Sequence, residues 1–289
     1  MLKALIKTMR LRQWTKNGFI FFGLIFDKQL FLLEPFLRTL AGFFLFCLVS
    51  SAVYLFNDIA DLEADRNHPE KKFRPLASGQ LPVNMAMGTA TLLTVIAIPL
   101  GYILSPIFAL ILSLYLAINL LYSRWLKHVA ILDVLIISSG FVLRVAAGVA
   151  LITVERFSPW LYMLTILFSL YIGFGKRRAE MSLLANEAST HRKVFEGYTI
   201  PLLDQYITIV SGMTIVAYSL YTFSAPNLPD NHTMMLTIPF VVYGIFRYLQ
   251  LIQTGHAAGA PDEVALKDRG LQVTVLLWGL AVIAVFYVS

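Results

Sequence analysis

The sequence predicts an all-α polytopic membrane protein: a bundle of nine transmembrane helices whose polar residues gather at one, cytoplasmic, mouth. Three observations carry this. Of 289 residues, 58% are hydrophobic and only 14% are charged, whereas a soluble domain holds roughly one quarter charged residues. The apolar residues come in runs of roughly 17 to 24, the length that crosses a bilayer as a helix. The bases alternate between connections. With the N-terminus inside, all 23 Lys and Arg except Lys28, Arg38, Arg144 and Arg156 fall on inner segments or at the inner end of a span, which orients the chain with its N-terminus cytoplasmic and its C-terminus outside.

The elements follow in order. Residues 1–16 carry five bases. Leu2, Leu5, Ile6 and Met9 recur at helical spacing, with Lys3, Lys7 and Arg10 elsewhere on the wheel, the pattern of an amphipathic helix lying on the membrane. No small-residue cleavage site follows a short apolar core, so a removable signal peptide is not expected. The spans are 17–33, 36–57, 82–104, 106–123, 129–151, 159–175, 202–223, 233–252 and 271–288. The first is the weakest, because Asp27 and Lys28 interrupt it. The third and fourth are parted only by "LSPIF", where Pro106 suits a helix start. "FSAPNLPDNHT" is a plain outer loop. The lone cysteine, Cys47, lies inside an apolar run and reads as a small core residue. One domain over 1–289 is expected, with no soluble appendage. The net charge of +6 fits anionic headgroups, and no nucleic-acid partner is expected.

The stretch "YLFNDIADLEADRNHPEKKFRPLASGQ" breaks the apolar pattern with five acids and four bases. Asn57, Asp61 and Asp65 stand at i, i+4 and i+8, and Asp58 sits beside them. If the second span continues as helix to about residue 66, these groups share a face. Stacked like charges require a cation, and hard oxygen donors without cysteine point to Mg²⁺ or Mn²⁺ bound together with a substrate phosphate. Glu63 points elsewhere on the wheel and is expected in solvent. His68, next to Pro69, reads as a turn residue. Lys72 and Arg74 either hold phosphate oxygens or serve as interfacial bases.

"NDIADLEADR" at the end of a transmembrane helix resembles the NDxxDxxxD motif of the UbiA superfamily of intramembrane prenyltransferases, and the likeness extends over the whole chain. The resemblance implies nine helices around a cytoplasm-facing active-site cavity, with a diphosphate bound through Mg²⁺. The family's aromatic prenyltransferases carry a second acidic motif after the sixth span. Here "GFGKRRAE" places Lys176, Arg177 and Arg178 there, with only Glu180 beside them. Together with "RQWTKN", "YSRWLKH" and "DEVALKDRGLQ", this resembles one branch of the superfamily, the decaprenyl-phosphate phosphoribosyltransferases. That branch implies transfer of 5-phosphoribosyl from 5-phosphoribosyl 1-diphosphate to a polyprenyl phosphate. Such a donor and acceptor bring several phosphates, which suits one metal–carboxylate patch and several basic ones. Two alternatives stay open: a conventional prenyltransferase acting on an aromatic or other acceptor, and a transporter or lipid-binding protein without catalysis.

The resemblance assigns roles. Asn57, Asp58, Asp61 and Asp65 hold the metal, and the three aspartates are the expected catalytic residues. Lys72, Arg74, Tyr122, Lys127, Asp133, Lys176, Arg177 and Glu180 are candidates for the donor and its phosphates. Asp133 either binds ribose hydroxyls or orients Lys127. Arg12, Lys16 and Arg144 are candidates for the lipid phosphate. For Arg12 and Lys16 the alternative is a plain basic surface helix anchored by Trp14. Arg144 is deep in its span and should face the bundle interior, where a structural partner is the alternative. Arg178 is expected to face headgroups. Glu263 and Lys267 form an i,i+4 pair before the last span.

Overall fold

The computed structural model describes residues 1–154, 159–184, 193–225, 228–254, 264 and 267–287. Asp262 and Glu263 lie outside them. Every regular element among the described residues is helical. The principal helices are α1 (Leu2–Met9), α2 (Phe22–Phe26), α3 (Leu33–Ala60), α4 (Leu62–Arg66), α5 (Val83–Leu104), α6 (Pro106–Arg124), α7 (Leu132–Val149), α8 (Pro159–Leu184), α9 (Ile200–Ser224), α10 (Ile238–Gln253) and α11 (Arg269–Tyr287). Seven spans among the described residues are long and apolar enough to cross a membrane: α3, α5, α6, α7, α9, α10 with its preceding turn, and α11.

Two of the nine expected spans look different. The span expected at 17–33 is no single helix. It is a 3₁₀ stretch, Leu11–Phe21, followed by the five-residue α2. The chain then turns at Lys28, which takes a positive φ of 57°, so the Asp27–Lys28 pair ends the helix instead of being tolerated inside it. The span expected at 159–175 forms the first part of α8, which continues through the charged run to Leu184. Trp160, Tyr162 and Tyr171 dilute its apolar character. The surface helix expected over 1–16 stops at Met9.

The chain divides into two compact units. The first comprises Met1–Ile25, Gln29–Lys127 and Leu143–Val154. In it α3 packs chiefly on α5. The α5 residues that turn inward are small: Ala86, Ala90, Ala97 and Gly101 are all buried. Small residues on one helical face let backbones approach closely where lipid gives no hydrophobic drive. Ser105 caps α6 by accepting Phe108 N–H, and Pro106 occupies the first turn, as the "LSPIF" turn predicts. Cys47 is buried. Arg38 donates to the carbonyls of Leu104 at 2.6 Å and Leu151 at 3.1 Å, so one guanidinium satisfies carbonyls beyond the reach of two helices' own ladders.

The second unit comprises Phe26–Lys28, His128–Val142 and Glu155–Ser289. Here α8 packs on α9, and α10 packs on α11. The core runs through Val134, Tyr171, Phe174, Tyr198, Leu203, Ile207, Ile245 and Tyr248. Helix α7 gives 132–142 to this unit and 143–149 to the first.

Candidate active site

The acidic motif forms where α3 ends. Helix α3 closes at Ala60 with Asp61 as its cap, and α4 begins at Leu62. The break is slight. Asp61 N–H still reaches Asn57 C=O at 2.9 Å, and Asp65 N–H reaches Asp61 C=O at 2.8 Å. The four motif side chains therefore stay within two turns of each other, as the spacing predicts, across a cap instead of along one continuous helix.

Each acid has a basic partner. Asp58, only 3% exposed, accepts Arg10 Nη2 at 2.7 Å. Its Oδ1 also lies 3.4 Å from Arg74 Nη1, and that same nitrogen donates to Asp65 at 2.7 Å. Asp61 pairs with Lys127. Ser123 Oγ lies 2.8 Å from Asn57 Oδ1 and 2.9 Å from the Asn119 carbonyl oxygen, its single O–H shared between them. Thus "YSRWLKH" supplies two contacts to the motif, one through Ser123 and one through Lys127. Tyr122 is half-buried beside them, and Lys72 is exposed, its ammonium over the Phe73 ring. Glu63 is exposed with Arg66, and His68 Nδ1 accepts the N–H groups of Glu70 and Lys71, the turn role expected of it.

This arrangement answers the electrostatic problem posed by the sequence. Buried carboxylates need compensation, and Arg10, Arg74 and Lys127 supply it. No three His, Cys, Asp or Glu side chains converge as a ready metal site among the described residues. The donor set nevertheless suits a hard divalent ion: an amide and three carboxylates, all oxygen. Arg74 Nη1 is the stand-in, a single cation shared by Asp58 and Asp65.

Arg10 was missed from sequence, where it counted only as one base of a surface helix. It is reached because α1 lies against α3, with Ala4 and Leu5 in one cluster with Ala52, Leu55, Leu81 and Ala86. Only that docking could reveal it. Trp14, the interfacial anchor of the alternative reading, donates to Ser51 Oγ at 3.0 Å, and Ser51 donates to Met9 C=O. Arg12 is exposed and Lys16 half-buried.

Arg144 faces inward, as its depth requires. It is 6% exposed and donates to Asn17 Oδ1 at 2.8 Å and Tyr115 OH at 3.0 Å. Its guanidinium lies over the rings of Phe46 and Tyr115. Asn17 in turn donates to Ser50 and Cys47. Within the first unit this is the structural partnership that the sequence offered as the alternative to a lipid phosphate.

The second unit gathers the other candidates. Asp133 is fully buried. It accepts Arg177 Nε at 2.5 Å and the Tyr198 hydroxyl at 2.7 Å. Arg177 Nη1 donates to Glu180 at 2.5 Å. The expected phosphate ligand Arg177 is thus buried between two carboxylates, a strut holding Asp133. Lys176 remains half-buried beside it. Tyr198 escaped the sequence reading, since a tyrosine before a span has no distinctive spacing. Burial, then the hydrogen bond to Asp133, pushes its phenol above the ordinary tyrosine range. Arg178 does not face headgroups as expected. It donates to Asp204 at 2.5 Å and to the Ile252 carbonyl, because α9 brings a carboxylate to its side of α8. Asp268 accepts Arg247 Nη2 at 2.8 Å.

Comparison with known proteins follows the same lines. A family model described as the UbiA prenyltransferase family matches residues 18–264. The chain is 35% identical to a decaprenyl-phosphate phosphoribosyltransferase of Mycolicibacterium smegmatis, over 100% of this chain and 94% of that one. It is also 35% identical to a protein of the same name from Corynebacterium glutamicum, over 99% and 87%. The fold matches a UbiA homologue of Archaeoglobus fulgidus, solved bound to DMAPP and Mg²⁺, with a TM-score of 0.72 at 14% identity, covering 99% of this chain and 100% of that one.

Proposed function

This chain belongs to the UbiA prenyltransferase family, and we propose that it transfers a 5-phosphoribosyl group from 5-phosphoribosyl 1-diphosphate to a polyprenyl phosphate, releasing diphosphate. It is an integral membrane enzyme. The observation that carries the reading is the full-length identity to relatives named for that transfer. The local sequence agrees with it: where an aromatic prenyltransferase would place further acids, α8 carries Lys176, Arg177 and Arg178.

In this reading the bond from ribose C1 to the diphosphate oxygen breaks, and a bond from C1 to an oxygen of the lipid phosphate forms. The acceptor is already an anion, so no strong general base is needed, and catalysis rests on positioning and electrostatics. Asn57, Asp58, Asp61 and Asp65 would hold Mg²⁺, with Mn²⁺ as substitute. A divalent ion there would neutralise charge building on the leaving diphosphate. Arg74 and Lys127, which pair with these acids, would take phosphate oxygens of the donor. Ser123 fixes the Asn57 amide so that its carbonyl oxygen is presented in one orientation. Lys176 would take the donor's 5-phosphate, supported by the buried Asp133–Arg177–Glu180 network beside it. The chain acts as one transmembrane catalytic domain, with its N-terminus and active site cytoplasmic.

The test is a paired assay on purified protein with Mg²⁺. One arm receives labelled phosphoribosyl diphosphate and a polyprenyl phosphate; the other receives labelled polyprenyl diphosphate and 4-hydroxybenzoate. Label entering the lipid phase in the first arm is expected. Product only in the second arm sinks the proposal in favour of ordinary prenyl transfer.

A further inference from the structure

We infer that α1 reads the membrane surface: anionic lipid headgroups seat this helix, and Arg10 at its end passes that state to the acidic site. The inference rests on the proposal that Asp58 belongs to the metal–diphosphate site.

The eight residues of α1 split into three sectors. Ala4, Leu5 and Thr8 are buried, and Ala4 and Leu5 share a cluster with residues of α3 and α5. Leu2 and Ile6 remain 69% and 43% exposed. Lys3 and Lys7 are exposed as well. At 100° per residue, Leu2 and Ile6 fall together on the wheel and the lysines occupy the next sector. A helix with exposed apolar residues flanked by lysines lies in an interface, apolar side toward acyl chains and lysines among headgroups. The buried sector adds that this helix is held by the protein and the membrane at once. Charge selects the partner: 1–16 hold five bases, and the first acid in the chain is Asp27. An anionic lipid surface is the complement.

The link to the site is geometric. Arg10 caps α1 in the left-handed region, φ 52° and ψ 53°, a conformation that glycine or asparagine normally supplies. Here the arginine is held in it from both ends. One end is the docked helix. The other is the guanidinium, which is bonded to buried Asp58 and lies 4.9 Å from the Tyr54 ring centroid. Displacing α1 frees the cap to relax and withdraws one of the two guanidiniums on Asp58, leaving Arg74 alone. A seated α1 thus favours the compensated, preorganised motif. Lipids that bind the seated helix better shift the population toward it.

The experiment places the full chain in nanodiscs of phosphatidylcholine, or of phosphatidylcholine with phosphatidylglycerol. It measures binding of inorganic diphosphate with Mg²⁺, and the KM for the phosphoribosyl donor. Wild type should bind diphosphate up to roughly thirtyfold more tightly in anionic discs, the scale expected for two lysines near anionic headgroups. The K3Q/K7Q variant should lose that response while keeping its melting temperature and its activity in phosphatidylcholine. R124Q, which removes an exposed base at the end of α6, should respond like wild type. An equal response in wild type and K3Q/K7Q, an equal loss in R124Q, or no lipid effect on wild type overturns the inference. Diphosphate binding does not depend on which group is transferred. A failed phosphoribosyl assay would therefore count against the proposed reaction and leave the lipid response readable.

Discussion

The Tyr198 hydroxyl joins two groups at once: it donates to Asp133 at 2.7 Å and accepts the Ile131 N–H at 2.6 Å. Ile131 carries a φ of 71°, an outlier for a β-branched residue. Such strain persists only where surrounding contacts hold it. One phenol thus fixes both the strained turn before α7 and the carboxylate just inside it.

Tyr198→Phe keeps the ring and removes both bonds. The fully buried Asp133 carboxylate loses a partner, at a cost of about 1–3 kcal/mol, and the Ile131 N–H, on an exposed residue, adds little. Thermal melting in detergent checks this. The folded-state pKa of the phenol lies above its ordinary value, so its contribution is complete below about pH 10 and is lost only as pH rises through the higher folded value. The gap between wild type and variant should therefore stay constant from pH 6 to 9. A gap that closes within that window would place the proton elsewhere.

Asp61 is the most accessible acid of the motif that faces a base, sharing a part-exposed pair with Lys127. Such a pair adds little stability, under about 1 kcal/mol. Asp61→Asn should therefore express and melt like wild type, while turnover falls by roughly a hundredfold or more. Steady-state assays on matched amounts of folded protein measure it. Near-normal turnover would remove Asp61 from the metal set.

How much of this was legible in the sequence depends on range. Local features were: Pro106 at a helix start, Cys47 in the core, the Asn57–Asp65 spacing, and Arg144 turned inward. These follow from spacing along one helix or from the cost of a charge in lipid. What failed involved partners far away in the chain. Arg178 meets Asp204, and neither spacing nor composition announces such a meeting. Arg10 was hidden for the same reason, since its partner is 48 residues away. The first span differs for another reason: Asp27 and Lys28 interrupt its apolar run, and the helix ends at Phe26 with Lys28 at a positive φ.

Arg74 holds Asp58 and Asp65 with a single nitrogen. Arg74→Gln leaves two buried carboxylates facing each other with that cation gone, and removing one partner of a buried pair costs about 3 kcal/mol or more. Arg74 is itself partly exposed, so the lower end is expected. The same change frees oxygens for metal. Millimolar Mg²⁺ should therefore raise the melting temperature of the variant more than that of wild type. An equal response would mean that these acids do not bind the ion.

Asp268 offers a pH test away from the site. The Arg247 hydrogen bond, helped by the Leu271 N–H, holds its carboxyl below the ordinary carboxylate range. A depressed folded pKa gives stability that is present above about pH 4 and lost as pH falls through the folded value. Asp268→Asn should lower the melting temperature by the same small amount at pH 6 and pH 8. The difference should close as the solution is acidified below about pH 4.

Gly148 is the sharpest packing prediction. A Cβ there would sit 1.9 Å from the Ile20 carbonyl oxygen and 2.8 Å from its carbon. Both are backbone atoms, with no rotamer to turn aside. Gly148→Ala therefore forces α7 and the Leu11–Phe21 stretch apart. It also disturbs the seam where Arg144, one turn earlier, bonds Asn17. Overpacking that moves backbone costs about 1–3 kcal/mol and at times more. The matched control is Gly212→Ala in α9, where an added Cβ meets nothing within 4 Å. Alanine is the better helix former by about 1 kcal/mol, so this variant should be neutral or stabilised. Paired melts of the two variants decide the matter: a tolerated Gly148→Ala would mean that the Leu11–Phe21 stretch does not lie against α7 as described.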